Sequence, residues 1–461
     1  MPARLILALV LLLLLAVHLP AASTVFTLPN GLETIVFPRP DVPLVSIQFS
    51  IRHGYIYAND PLDEGIAHFY EHMLFKANSL TKTQQEFMRR LNEIGAAGWN
   101  GTTGSEAVTY YLTVPATEAE RALELWSAVL IDTVFDPPEI RREISVVSNE
   151  IEGNRRDPGR AFWRLVNAAL YGQDQMYRTG HYETAHMGRF DRALLQREQA
   201  RWYTPDNCML SLSGAIDERE ALQLVSKHFS RWKRGTPRPV TRPLQFKPRT
   251  DRSRNLVLGG FTNPGMLRVL LLWPGPSVLS NRNETLTADV LSYYLSEKSG
   301  GFLASLTTNT ALFSTDTAGF TFSTGRYTSE FMFQGEIPAT NIPGLLARAS
   351  LLQNTVRQAL ARIAEGKARI SPESIRRIAS RIINDRIFRH EKPPALLQDV
   401  SWWWCTADLA YWQHYDRGIA TVTPRALQRL ARDWLAKPPL PVLWAHDSLR
   451  AALEQQGGPN P

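Results

Sequence analysis

Two histidines four residues apart, with a glutamate beside the second, stand out in the stretch "DEGIAHFYEHMLFKAN", Asp63 to Asn78. The chain has only 10 histidines in 461 residues, and His68 and His72 take two of them in the order H-x-x-E-H. On a helix, positions i and i+4 share a face with Cβ atoms about 5–6 Å apart, so both imidazoles can meet one tetrahedral Zn²⁺. Glu71 lies at the edge of that face. Beside His72 it cannot ligate the same ion without distorting the helix, but it can reach a water at the metal and act as a general base. A solvated helix that happens to carry two histidines and an acid would spell the same motif. The discriminating requirement is a third protein ligand on a rigid element.

The segment "DPPEIRREISVVSNEIEGN" offers one. Glu143 and Glu150 are two helical turns apart and point the same way, beside an apolar stripe of Ile140, Ile144, Val147 and Ile151. Carboxylates next to a buried stripe are costly unless paired or bound to metal. Two solvated acids at the edge of the stripe fit the same spacing.

The elements that must position these groups alternate between strand and helix. "TVFTLPNGLETIVFPR" has an Asn30-Gly31 hairpin signal, and "PLVSIQFSIRHG" alternates as a strand does. Thr83 and Glu86 form a capping box for a helix to about Ile94. "EAVTYYLTVPA" is a β-branched and aromatic strand, Ala119 to about Val134 a helix, and Asp136-Pro137 the start of another through about Gly153. After the basic, proline-broken run "RWKRGTPRPVTRPLQFKPRTDRSRN" the plan repeats, with strands near Leu256 and Val269 and helices from about Thr285 and Leu345. Arg425-Ala426-Leu427 echoes Arg192-Ala193-Leu194. The expectation is an α+β protein of two similar domains, residues 24–233 and 255–455, joined by a linker at 234–254. The helix from Thr285 to Glu297 has no histidine, so any metal site belongs to the first half.

Composition excludes several other classes. With 44% apolar and 21% charged residues the chain is an ordinary globular one, able to bury a site. The formal charge of +7 is partly gathered in the linker, which lacks the aromatic interleaving of a nucleic-acid surface. Residues 1–23 read as a signal peptide, because the apolar run from Leu5 to Val17 falls short of the roughly 20 residues that span a bilayer and small residues follow it. Export to the periplasm or the medium is therefore expected, with no stable membrane insertion after cleavage. Cys208 and Cys405, the only cysteines, provide no disulfide framework. His181 and His186 lack ligand spacing, and Trp402 to Trp404 are expected to pack against a core.

The H-x-x-E-H order, the following "FKAN", a helix with glutamates seven apart, and "YTPDN" before an apolar strand together resemble the pitrilysin/insulinase family of zinc peptidases, the inverzincins. The resemblance is greatest to small two-domain members similar to mitochondrial processing peptidase subunits. It implies two homologous α/β-sandwich domains, mixed sheets covered by helices, forming half of a clamshell. It further implies that His68, His72 and Glu150 bind one zinc, that Glu71 activates water, and that Glu143 supports the site by contacting a ligand. Asn100 in "GWNGTTGSEAVTYY" matches an asparagine on the edge strand along which the family lays extended peptides, although a turn asparagine before Gly101 reads equally well.

One departure matters. Family members that act alone carry an Arg and, seven residues on, a Tyr in the second domain. Between Gly300 and Phe320 this chain has neither; Thr307 and Phe313 or Ser314 stand near those places, and Arg326 and Tyr327 are adjacent and further along. The sequence therefore points to a zinc endopeptidase acting on extended peptides as one subunit of a homo- or heterodimer, whose partner supplies the Arg/Tyr pair. The alternative is a subunit that binds peptides or a partner and hydrolyses nothing.

Overall fold

The computed structural model describes residues 23–181, 183–235, 244–246, 255–298, 301–307, 312–313, 316–339 and 342–455. The expected signal peptide up to residue 22, most of the linker, and Ser314 lie outside the described residues.

Two sheets organise the chain. The first has the order β1-β2-β6-β3-β5-β4, built from Thr24–Thr27, Glu33–Pro38, Leu44–Ile51, Ala97–Thr103, Val108–Pro115 and Cys208–Gly214 as β1 to β6. The second has the order β7-β11-β8-β10-β9, from Leu256–Leu258, Met266–Gly275, Gly319–Ser323, Ser329–Pro338 and Leu440–Trp444. Apart from β1, the second sheet repeats the first. The pairs β2/β6 and β7/β11 are parallel, the remaining pairs are antiparallel, and β4 and β9 are the corresponding edges. The fold is thus a mixed α+β arrangement of two helix-covered sheets.

Local sequence explains the elements. Gly31, at φ 96°, supplies the left-handed residue that returns β1 into β2. β5 alternates buried and half-buried residues, whereas β6 is buried throughout because both faces of its sheet are covered. Covering one face are the helices α1, Ile66–Leu74, and α3, Ala119–Ile131, with α2, Gln84–Glu93, between them in sequence. The other face is closed by a helix from the far end of the chain, Pro393–Thr406, whose Leu396, Leu397, Val400 and Trp404 pack on Ile35, Phe37 and Met209. The two halves are therefore interlocked. Arg52 donates to the Trp404 carbonyl at 3.0 Å and lies 3.7 Å from the Trp404 ring centre. Of the three tryptophans expected in a core, Trp403 and Trp404 are buried, but Trp402 is 48% exposed. It lines a cavity between the halves.

Two further helices, α4, Pro137–Arg155, and α5, Pro158–Tyr171, follow α3. Both begin with proline at the first turn, where its missing N–H costs no hydrogen bond. Thr83 caps α2 by accepting the Glu86 N–H at 3.1 Å.

Candidate active site

The helix α1 leaves a left-handed Gly65, φ 79°, and turns Ile66, Ala67, Phe69, Tyr70, Met73 and Leu74 into the core. What remains for its open face is His68 and His72, half-buried against α4. That helix is itself held by buried Ile140 and Val147 and by partly buried Ile144 and Ile151, so its glutamates are presented from a fixed element.

The two helices bring three donors together. His68 Nε2 and His72 Nε2 are 3.3 Å apart, and Glu150 approaches them with Oε1 at 3.8 Å from the first and Oε2 at 3.4 Å from the second. All three ligand atoms lie within 4.8 Å of one another, and no other such cluster occurs among the described residues. Glu143, only 3% exposed, contacts His72 Nδ1 through Oε1 at 2.8 Å, and Lys76 Nζ approaches its Oε2 at 2.6 Å. A carboxylate at Nδ1 fixes the proton there and leaves Nε2 as a lone-pair donor facing His68 and Glu150. Two nitrogens and a carboxylate, on rigid elements and open on one side, suit a Zn²⁺ ion with a vacant coordination position.

Electrostatics treat the two imidazoles differently. Burial, then the neighbouring His72, pushes His68 down to about 4, so it is neutral and ready to donate. Burial opposes charge on His72, but the hydrogen bond to Glu143 outweighs it and the imidazole is held above its ordinary value. Burial also raises Glu143, yet the hydrogen bonds from His72 and Lys76 prevail and keep it low.

Glu71 does not join the donor cluster. It is 8% exposed and turns toward β4, where the Thr103 hydroxyl donates to Oε2 at 2.6 Å. Gly101, two residues earlier on the same face of β4, is what lets the strand approach. A Cβ there would lie 2.9 Å from Glu71 Cγ and 2.9 Å from Oε1. Burial lifts the Glu71 carboxyl above its ordinary range, with the Thr103 hydrogen bond pulling the other way. A buried carboxylate with a raised pKa is better matched to taking a proton near neutral pH.

Asn100 is exposed on β4, beside a register shift between Ala97 and Asn100, on the strand that forms the open edge of the sheet. Lys76, Gly101 and Thr103 escaped the sequence reading. Lys76 lies in "FKAN" with nothing to mark its partner, and Gly101 and Thr103 are visible only as two positions of like parity on a strand.

In the second half, Phe313 is buried in the core. The Arg326 guanidinium donates to the Ala407 carbonyl at 3.0 Å, and the Tyr327 ring packs edge-on to Tyr57 at 6.2 Å. Both serve the junction between the halves. Of the two histidines set aside, His186 contacts the Glu64 carbonyl at 2.7 Å through Nε2.

Residues 37–181 match the family model described as "Insulinase (Peptidase family M16)", and residues 189–381 match that of the "Peptidase M16 inactive domain". An uncharacterized zinc protease of Rickettsia felis is 26% identical over 208 residues, 45% of this chain and 50% of that protein. Another from Bacillus subtilis is 30% identical over 195 residues, 42% of this chain and 46% of that protein. The chain spans about half the length of these curated relatives. Among solved structures, a protease from Helicobacter pylori superposes with a TM-score of 0.72 at 18% identity, covering 92% of this chain and 99% of that one. The first half of the periplasmic protease PqqL from Escherichia coli gives a TM-score of 0.68 at 16% identity, with 93% of each chain covered. With one family model on the half that gathers His68, His72 and Glu150 and the other on the half that does not, this chain belongs to the insulinase family, peptidase family M16.

Proposed function

We propose that the protein is a zinc-dependent metalloendopeptidase that cleaves extended peptides, with His68, His72 and Glu150 as ligands of one zinc and Glu71 as general base. The observation that carries this reading is the convergence of three donor atoms beside a separately held carboxylate. A purely structural helix pair has no need to hold Glu71 out of the ligand cluster. When bound, zinc lowers the pKa of water and polarises a carbonyl oxygen.

The chain's own groups then divide the work. Glu143 holds the Nδ1 proton of His72, and Lys76 offsets the charge of Glu143. Thr103 occupies Glu71 Oε2, leaving Oε1 to accept the proton of the attacking water and later pass it to the leaving amine. The β4 edge offers unpaired backbone groups on which an extended peptide can add as a strand, with Asn100 beside it.

Relatives bearing the name zinc protease support hydrolysis. The sequence between Gly300 and Phe320 has no Arg and no Tyr, which favours a homologous partner subunit supplying an Arg/Tyr pair. The protein would be exported, periplasmic or secreted: none of the described helices is long and apolar enough to cross a membrane, and the N-terminal run has signal-peptide character. We take residues 24–233 and 255–455 as its domains, joined at 234–254.

Metal analysis and peptide hydrolysis of the purified chain test the reading, alone and with a candidate partner. One preorganised donor is worth about 10²–10³ in rate, so a true partner should raise cleavage by at least about tenfold, and replacing its Arg should abolish the gain. A chain that takes up no zinc under non-chelating conditions would refute the metal assignment.

A further inference from the structure

The β4–β5 turn, residues 104–107, is where the edge strand of the first half meets the second half. Its own half grips it on one side: Tyr55 and Ile56 N–H donate to the Gly104 and Ser105 carbonyls, each at 3.1 Å. On the other side Glu106, 6% exposed, accepts the Arg326 backbone N–H on Oε1 at 2.7 Å. Arg326 belongs to the β9–β10 turn, the topological counterpart of β4–β5, and that turn is fixed in its own half by the Arg326 guanidinium on the Ala407 carbonyl. Equivalent hairpin turns of the two halves are thus joined by one carboxyl.

A buried carboxyl is an expensive way to join two turns. Burial pushes Glu106 up to about 7, with the Arg326 N–H first among the groups pulling it back. Three residues before it on the same hairpin stands Thr103, the donor that holds Glu71, and two before that is Gly101, which sets how closely the strand approaches. A shift of the turn moves both.

We propose that Glu106 is a positioning residue for hydrolysis: by fastening the β4–β5 turn to the second half, it sets the place on β4 from which Thr103 orients Glu71. The proposal rests on Glu71 being the general base. It gives the second half, which holds no metal ligands, a part in the chemistry of the first.

Three substitutions in the full chain test it: Glu106→Ala removes the acceptor, Glu106→Asp retracts it by one methylene while keeping the charge, and Glu106→Gln keeps it without the charge. Ala and Asp should lower kcat on the order of tenfold with zinc retained, since small misplacements of a catalytic group are costly in rate. Gln should recover most of the loss. In a Thr103→Val background the Ala and Asp losses should shrink below about twofold, because the two residues act through one contact. Equal losses in both backgrounds, or a Gln variant no better than Asp, would overturn the proposal, and the Asp variant decides should Ala fail to fold. Hydrogen exchange of the β4 amides provides a readout independent of turnover. Exchange should rise in the Ala and Asp variants and not in Gln; unchanged β4 exchange sinks the idea. A wild-type chain that hydrolyses nothing would instead refute the peptidase reading, and the exchange data would still decide whether Glu106 holds the strand.

Discussion

The helix after β3 and the helix after β8 occupy equivalent places in the two sheets, yet among the described residues only the first takes part in a cluster of potential metal donors. In the first half, α1 sends its apolar residues into the core and leaves His68 and His72 on a face met by glutamates of α4. In the second half, Arg282–Leu295 also has polar residues on its outer face, but the helix Leu409–Ala420 closes over them. Thr285 Oγ1 lies 2.7 Å from the Tyr411 hydroxyl, and the Tyr415 hydroxyl donates to Asp289 at 2.8 Å. The same scaffold position is left open in one half and filled by hydrogen-bonded packing in the other. Duplicating a fold does not duplicate a site; what decides is whether the polar face of one helix is covered.

The sharpest way to break this contrast is to disable the open face without emptying it. Glu71→Gln should retain zinc but lose hydrolysis by about 10³-fold, since the amide cannot take a proton from water. His68→Ala or His72→Ala should lose the metal itself. Metal content measured beside peptide turnover separates the two effects, and a Glu71→Gln variant with wild-type turnover would end the general-base assignment.

Next in size is the support behind the ligands. Glu143→Ala leaves His72 Nδ1 and Lys76 without their shared carboxylate and should weaken zinc binding about 10–100-fold, as loss of such support does in other metal sites. Competition with a chromophoric chelator measures it; unchanged affinity would show that α1 alone fixes the imidazole.

A smaller change tests the approach of β4. At Gly101 an added methyl would press on the Glu71 side chain, so Gly101→Ala should reduce kcat by roughly tenfold with zinc unchanged, through displacement of a flexible carboxylate and not loss of the fold. Equal turnover in the two proteins would mean that Glu71 relaxes without cost.

The smallest effect on turnover is expected in the closed half. Burial lifts Asp289 to about 7, the Tyr415 hydrogen bond opposing, so the folded chain holds this proton more tightly than the unfolded chain, whose value is about 3.9. Its stabilising contribution is complete below about pH 4 and is lost as pH rises through 7. Asp289→Asn should flatten that part of the stability curve, read by thermal unfolding across pH, and change hydrolysis by less than twofold. A larger loss of turnover would show that the closed face is not merely structural.

Much of the candidate site was legible in the chain. The spacing of His68 and His72, and of Glu143 and Glu150, follows from helical periodicity, which is a property of local sequence. The glutamates read alike by spacing, yet Glu143 is 3% exposed at His72 Nδ1, while Glu150, its side chain 42% exposed, faces Nε2. Seven residues make slightly less than two full turns, and only the crossing of α4 over α1 converts that small rotation into different contacts. The tryptophan run shows the same limit: Trp403 and Trp404 are buried in two different clusters while Trp402 is exposed, and which directions around the helix are covered is decided by what packs against it.

By itself, then, the sequence determined several helices of the first half, the apolar stripe of the one that carries Glu143 and Glu150, and that another would carry two imidazoles at metal-ligand spacing, because each depends on residues within a few turns of one another; the helices Pro158–Tyr171, Pro393–Thr406 and Leu409–Ala420 were not read from it. Tertiary structure alone decided that Lys76 and Glu143 would pair, that Gly101 and Thr103 would meet Glu71 across a strand, and that Glu106 would reach Arg326 in the other half of the chain. Those contacts join residues far apart in sequence, and their geometry is set by how helices and sheets pack, which no local pattern encodes.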